Sequence, residues 1–278
     1  MKRTRYNFFR IIVYLLFLLT AVFIVYPLLF AFVTSIKPTR EYFLDPVGLN
    51  VASPTFVNYI NIISNFRFFS KLLNTSLVVF ISTALICLFA VPSAHYLSNR
   101  RGTLLKRTVL IFCFLFMFIP EEVLILPEYN MMSDLGIINN YLSVILIYFT
   151  SLLPEAIFLL SIYLGLIPQE IKNAAEIDGA DELSYLVKIV IPISKSPIYV
   201  VMVTTVISLW NSFLVPMVML YEEEYKLLLP SLSGLITKHS PDPTYQMAGV
   251  VLSLIPLIIV YFVFRRKIFE SSIGGAIQ

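Results

Sequence analysis

The sequence predicts an all-α polytopic membrane protein, and its composition, its apolar runs and the placement of its basic residues all indicate that class. Of the 278 residues, 58% are hydrophobic and 13% are charged, and the mean hydropathy is +0.86. Soluble domains contain about half apolar and about a quarter charged residues, so that class is excluded. Six long runs carry almost no charge, and a spanning helix needs about 20 such residues. We expect one transmembrane domain over residues 1–278.

The apolar runs predict six transmembrane helices. They lie at residues 11–33, 72–97, 108–127, 141–167, 197–221 and 244–264. The first run follows a basic start similar to that of a secretion signal. However, the run is too long for a signal peptide and has no small-residue cleavage site. We therefore expect an uncleaved first span.

The lysine and arginine residues predict the orientation of the spans, because basic residues concentrate in cytoplasmic loops. Fourteen of the 20 fall on one side, in the amino-terminal start, residues 98–107, residues 169–196 and the tail. We expect both termini to be cytoplasmic, with the chain in a bacterial-type inner membrane. Residues 34–70 then lie outside the cell, and apolar residues at roughly helical spacing predict a short surface helix there. These residues are Phe56, Val57, Tyr59, Ile60 and Ile63.

Other classes of function lack the residues that they require. The net charge of +3 is too small to indicate a nucleic-acid partner. A phosphate-binding loop needs Gly-Lys before Ser or Thr, and the sequence has no Gly-Lys pair, so the chain should not hydrolyse ATP alone. Cys87 and Cys113 lie in apolar runs without metal-ligand spacing, and we assign no chemical role to His95 or His239. No catalytic residues and no metal site are predicted, so an enzyme is not favoured.

Residues 168–192 carry the most informative pattern outside the spans. Pro168 suits the first position of a short helix. One face of this helix would contain Ile171, Ala174, Ala175 and Asp178. Gly179 can adopt a positive φ, and Asp181 can cap a second helix that ends before Pro192. This pattern predicts a compact docking element, and the alternative is a loop that only connects two spans.

The residue order in this loop resembles the EAA motif of the permease subunits of ABC importers. That motif consists of Glu-Ala-Ala, a Gly after three residues, and Ile, any residue and Leu-Pro after nine more. The matching positions are Ala174, Ala175, Gly179, Ile189 and Pro192. Asn173 replaces the Glu of the motif and removes a potential ion pair, and Ile191 conservatively replaces the Leu.

The resemblance extends over nearly the whole chain, which is similar to the six-span carbohydrate permeases of ABC importers. The other motifs that carry it are Ser35-Ile36-Lys37, Asn74-Thr75, Ile119-Pro120-Glu121-Glu122-Val123, Leu135-Gly136-Ile137, Trp210-Asn211-Ser212-Phe213 and Gly275-Ala276. The resemblance implies a second homologous permease, two cytoplasmic ATPase subunits that use ATP and Mg, and an extracellular binding protein that delivers a carbohydrate. No cofactor is implied for this chain. The residues implied to couple it to the ATPases are Glu170, Ala174, Ala175, Asp178, Gly179, Ile189 and Pro192.

Five residues of the predicted spans are candidates for the substrate path. Glu121, Glu122 and Glu155 are ionisable, and such residues inside a membrane usually face a cavity or a partner. Because they follow prolines, they could instead cap a broken helix. Trp210 could stack on a sugar ring and Asn211 could bond its hydroxyls, with helix packing as the alternative. An ion-coupled secondary transporter that uses the same glutamates is the rival function.

Overall fold

The computed structural model describes residues 2–98, 103–235 and 242–274, in which the regular secondary structure is helical. Arg100, Arg101, Lys238, His239 and the Gly275-Ala276 pair lie outside the described residues. The helices are α1 (Lys2–Ser35), α2 (Thr39–Leu44), α3 (Val57–Asn65), α4 (Phe68–Ser98), α5 (Leu104–Phe116), α6 (Glu121–Asp134), α7 (Tyr141–Leu164), α8 (Gln169–Ile177), α9 (Glu182–Tyr185), α10 (Ile191–Ile193), α11 (Lys195–Asn211), α12 (Leu214–Met219), α13 (Leu228–Ser233) and α14 (Pro243–Gly274). A π-helical turn, Leu186–Val190, joins α9 to α10.

Within the described residues, four helices are long and apolar enough to cross a membrane. Their spanning segments are Phe9–Ser35, Phe68–Ser98, Tyr141–Leu164 and Pro243–Lys267. Two further pairs of helices are long and apolar enough only when each pair is counted as one span, and each pair is bent by more than 40°. The bend is 102° between α5 and α6, and 77° between the Glu182–Ile193 stretch and α11. The all-helical membrane class is confirmed, and the count of six spans stays a prediction.

Two predicted spans are not single helices. The run at 108–127 is split because α5 ends at Phe116, four residues before Pro120. The run at 197–221 is split at Ser212, four residues before Pro216. A proline lacks the N–H that would bond the carbonyl four residues earlier, and its ring clashes with that carbonyl. The apolar content of the two runs therefore predicts membrane segments correctly, but the prolines break the helix in each run.

The chain divides into two compact units. One contains Met1–Phe69 with Ser231–Ile255, and the other contains Ser70–Pro230 with Pro256–Gln278. The expectation of a single domain over residues 1–278 stays a prediction. The first unit contains the predicted surface helix, which is confirmed as α3.

The segment between α1 and α3 in the first unit is held by buried polar groups. The ammonium of Lys37, which is 1% exposed, donates hydrogen bonds to the carbonyls of Asp45 and Gly48. The Asn58 amide donates to the carbonyls of Ser35 at 2.9 Å and Lys37 at 3.0 Å. The carbonyl of Ser35, at the end of α1, is thereby satisfied by a side chain from outside the helix.

Helix α7 is the centre of the second unit. It packs against α5, α6, α11 and α12. The side chains of Val144 and Leu160 on α7 are fully buried. The helix begins at a cap, because the Asn140 side-chain oxygen accepts a hydrogen bond from the N–H of Leu142 at 2.9 Å. Helix α7 thus packs against most of the other helices that surround it in this unit.

Candidate functional site

The loop at residues 168–192 turns sharply at Gly179, as its sequence predicts. Gly179 has a φ of +80°. Its N–H donates to the carbonyl of Glu176 at 3.1 Å, and the N–H of Ala180 donates to the carbonyl of Ala175 at 2.9 Å. This pair of bonds is a Schellman motif, which ends a helix with a left-handed residue and favours glycine. The positive φ predicted at Gly179 is confirmed.

Asp181 caps α9, which confirms a second local prediction. Its Oδ1 accepts a hydrogen bond from the N–H of Ser184 at 3.1 Å. Hydrogen bonds from the side chain and backbone of Ser184 hold the pKa of Asp181 below its usual range. At neutral pH the cap is therefore a carboxylate, which the positive end of the helix also favours.

The helical path continues beyond the predicted end of the second helix. The prediction that this helix ends before Pro192 is wrong, because α10 includes Pro192 and extends to Ile193. The N–H of Ile191 donates to the carbonyl of Leu186, five residues earlier, in the π-helical turn. This wider turn relieves the clash between a proline ring and the preceding helical turn. At the other end, Pro168 lies one residue before α8 and not in its first position.

The proposed coupling residues differ in their exposure. Glu170, Ala174, Asp178, Gly179 and Pro192 are exposed, Ile189 is half-buried and Ala175 is buried. Ala175 therefore packs within this chain and is not available to a partner. The sequence interpretation missed two apolar side chains at the tip, Ile177 at 86% and Leu183 at 67% exposure. The sequence could have indicated them, because these two large apolar residues lie on either side of Gly179 in a mostly polar stretch.

A cluster of polar side chains, which we call the clasp (His95, Lys172, Glu182 and Tyr185), joins the loop to α4. Glu182 Oε1 lies 3.0 Å from His95 Nε2 and 3.2 Å from Lys172 Nζ. The Lys172 ammonium also lies 5.7 Å from the centre of the Tyr185 ring. Burial raises the pKa of Glu182, but hydrogen bonds from His95 and Lys172 outweigh it and hold that pKa below its usual value. No local pattern indicated His95, which lies 87 residues before Glu182.

A cleft of about 190 Å³ lies among α5, α6, α7 and α11 in the second unit. Two of the five predicted substrate-path residues, Glu121 and Glu155, line it. Its other lining residues are Phe116, Met117, Ile119, Leu124, Tyr148, Ser151, Leu152, Ser208, Leu209 and Ser212. The break after Phe116 opens this space, and Glu121 then begins α6 at its edge. The pore-lining and helix-capping alternatives for Glu121 both stay predictions.

Hydroxyl groups from two helices line the cleft, and the sequence interpretation did not identify them. Tyr148 and Ser151 share a face of α7 with Glu155, at helical spacings of three and four residues. Ser208 and Ser212 lie four residues apart at the end of α11. The signal was this regular spacing of polar side chains within two otherwise apolar runs.

Three predicted substrate-path residues do not line the cleft. Glu122 is exposed beside it in the first turn of α6. Trp210 is 8% exposed, and the Asn211 amide donates to the carbonyl of Ile207 at 2.9 Å in its own helix. Among the described residues, no three His, Cys, Asp or Glu side chains form a possible metal site.

Comparison with protein families identifies one matching profile. Residues 86–271 match the family described as binding-protein-dependent transport system inner membrane component. The matched range contains the 168–192 loop, the clasp and the whole cleft.

Two curated relatives and one solved structure align over nearly the full chain. The arabinooligosaccharides transport system permease protein AraQ of Bacillus subtilis is 25% identical, with 98% of this chain and 97% of the relative covered. The multiple sugar-binding transport system permease protein MsmG of Streptococcus mutans is 27% identical, with 95% and 96% covered. A bacterial ABC transporter involved in importing the acidic polysaccharide alginate has a chain of similar fold. It has a TM-score of 0.78 and 24% identity, and 94% of this chain and 96% of that chain are covered.

Proposed function

This chain belongs to the family of binding-protein-dependent transport inner membrane components, and we propose that it imports a saccharide. It is a multi-pass permease subunit of an ABC importer, in which separate subunits hydrolyse ATP. The family match across residues 86–271 carries this conclusion, because it includes both the loop and the cleft. The names of the relatives support a saccharide cargo, including arabinooligosaccharides for one of them.

The proposed partners are a second homologous permease, two ATPase subunits and an extracellular binding protein. The 168–192 loop is the proposed ATPase contact, because its tip exposes Ile177 and Leu183 next to the Gly179 turn. Exposed apolar side chains on a polar loop favour burial against another protein. The proposed coupling residues Glu170, Ala174 and Asp178 surround this tip, whereas Ala175 supports it from within.

The proposed orientation places both termini and the 168–192 loop in the cytoplasm. It rests on the excess of lysine and arginine on that side. Reporter fusions after residue 180 and after residue 225 would test it. We expect a cytoplasmic reporter to be active only at the first position, and the reverse result would contradict the orientation.

The ion-coupled alternative has no support from the family or the relatives. Glu121 and Glu155 line the cleft, as that alternative requires, but the matching family is named for transport that depends on a binding protein. Uptake that survives ATP depletion and fails after an uncoupler is added would favour ion coupling. We expect the opposite pattern.

The experiment that tests the proposed partners is purification of the tagged chain from its native membranes in mild detergent. We expect a second permease and an ATPase to co-purify in stoichiometric amounts. Ile177→Asp should release the ATPase and retain the partner permease, because a charge replaces an apolar side chain at the tip of the loop. Val47→Asp is the matched control, since Val47 is also apolar and is 74% exposed outside this loop.

The possible results separate the alternatives. Loss of the ATPase with Ile177→Asp and retention with Val47→Asp would support the loop as the ATPase contact. Equal retention in both variants would contradict that contact. Recovery of an active transporter without any ATPase would contradict the ATP-driven importer.

A further inference from the structure

The charged groups that line the cleft are all acidic. Glu121 and Glu155 face it, and none of its lining residues is Lys, Arg or His. Glu121 also lies in the first turn of α6, where the positive end of the helix favours a carboxylate. The apolar side chains that line the same cleft give it a low dielectric constant, which concentrates the field of these two charges. A solute inside it therefore meets a negative potential.

The cleft also contains a buried hydroxyl whose hydrogen bonding is incomplete. The Tyr148 side chain is 3% exposed, and its hydroxyl lies near that of Ser212 without forming a hydrogen bond of regular geometry to it or to the other described residues. The Ser212 hydroxyl, which also lines the cleft, likewise forms no hydrogen bond of regular geometry with the described residues. A buried hydroxyl that lacks a well-formed hydrogen bond is costly, and a hydroxyl of a solute can both donate to it and accept from it.

The size and lining of the cleft suit one ring of a sugar. Its volume of about 190 Å³ is smaller than the roughly 300–1,000 Å³ of typical small-molecule pockets. It therefore accommodates a small unit of a longer solute. Leu124, Leu152 and Leu209 supply apolar surface for the carbon face of a ring, and the hydroxyls supply its polar contacts.

We propose that this cleft admits uncharged, hydroxyl-rich solute units and rejects anionic ones, with Glu121 and Glu155 as the residues that select by charge. Tyr148 provides the hydrogen bond that positions the solute. This inference rests on the proposed function for its saccharide class. An anion in the cleft would lie beside two carboxylates with no lining cation to offset the repulsion, whereas a neutral sugar avoids that cost.

Charged thiol reagents would measure this selectivity without knowledge of the cargo. The test uses the complete importer in membranes, with Cys87→Ser and Cys113→Ser as the background and Ser151→Cys as the reporter. The probes are a trimethylammonium and a sulfonate derivative of ethyl methanethiosulfonate. The measured quantity is the reaction rate of the cationic reagent divided by that of the anionic reagent. We expect this ratio to be at least about tenfold higher at the reporter cysteine than for a free thiol in solution, because the cleft concentrates a negative field. Ser208→Cys on the opposite helix is a second reporter in case the first variant is poorly folded.

Matched variants isolate the cause of the preference. Glu121→Gln together with Glu155→Gln should return the ratio of rates close to that of a free thiol. Ser64→Cys, at an exposed position in the other unit, should show the free-thiol ratio in both backgrounds. Tyr148→Phe should lower the transport rate of the cognate saccharide and leave the reagent ratio unchanged, because it removes a hydroxyl and no charge.

The outcomes for the cleft and for the proposed function are distinct. A reporter that reacts equally with both reagents, or a preference that survives the double glutamine replacement, would overturn the charge selectivity. Uptake of the cognate saccharide that is independent of ATP would instead overturn the proposed function and leave a measured preference intact. Efficient transport of a uronate-containing saccharide by the wild-type importer would also overturn the inference.

Discussion

Glu182 Oε1 lies 3.0 Å from His95 Nε2, and this contact joins the first turn of α9 to the last turn of α4. The same carboxylate accepts hydrogen bonds from Lys172 on α8. One side chain thus connects both short helices of the 168–192 loop to a long apolar helix. A displacement of the loop can therefore reach α4 as well as the flanking α7 and α11, because packed elements move as discrete bodies.

Replacement of Glu182 should weaken this connection. We expect Glu182→Gln to lower coupled transport about two- to fivefold, since exposed charge pairs contribute modestly. Assembly with the partner subunits should be unchanged. The measurement is the ratio of substrate transported to ATP hydrolysed in proteoliposomes. Glu176→Gln is the matched control, because it removes an exposed carboxylate from the same loop, and an equal effect of both variants would argue against the clasp.

The stability that the clasp gives to the loop should decrease as the pH falls. The folded pKa of Glu182 lies below its ordinary value, so its stabilising contribution is present above that value. It is lost as the pH falls through the folded pKa, below about 4.3. We expect amide exchange in α8 and α9, corrected for intrinsic rates, to increase over that interval. In the Glu182→Gln variant this increase should be reduced, and an identical profile would exclude Glu182 as its source.

Gly179 and Gly136 provide a controlled test of the loop. Both have a positive φ, of +80° and +68°, and at both the position that a β-carbon would occupy has no neighbouring atom within 4 Å. An alanine at either should therefore cost about 1–2 kcal/mol through backbone strain alone. We expect equal losses of thermal stability but a loss of coupled transport only for Gly179→Ala.

Gly179→Pro should abolish coupled transport with membrane insertion intact, because it also removes a backbone donor. Wild-type transport in these Gly179 variants would contradict the role of the turn.

Lys37 should be essential for order in the segment between α2 and α3. Lys37→Met removes the ammonium that donates hydrogen bonds to the carbonyls of Asp45 and Gly48. We expect a loss of about 1–3 kcal/mol in local stability. Amide exchange over residues 45–52 would measure it. Arg40→Met is the control, since Arg40 is an exposed basic side chain nearby, and equal exchange in the two variants would refute the prediction.

The features that could be predicted from the sequence are those that depend on local chemistry. Apolar runs identified the membrane class because each residue partitions between lipid and water largely on its own side chain. The Gly179 turn, the Asp181 cap and the surface helix α3 were also predicted, because backbone preference and capping act within a few residues. The resemblance of the 168–192 loop to the EAA motif indicated the family that the match over residues 86–271 then established.

Contacts between distant side chains, in contrast, became known only from the folded chain. Folding brings His95 to Glu182, and it places Glu121 with Glu155 and Tyr148 around one cleft. It also carries the helical path through Pro192 by means of a π-helical turn. These arrangements depend on how α5, α6, α7 and α11 pack and bend at prolines. Packing angles and contacts between separate helices arise from many weak interactions at once, which the local pattern of residues does not encode.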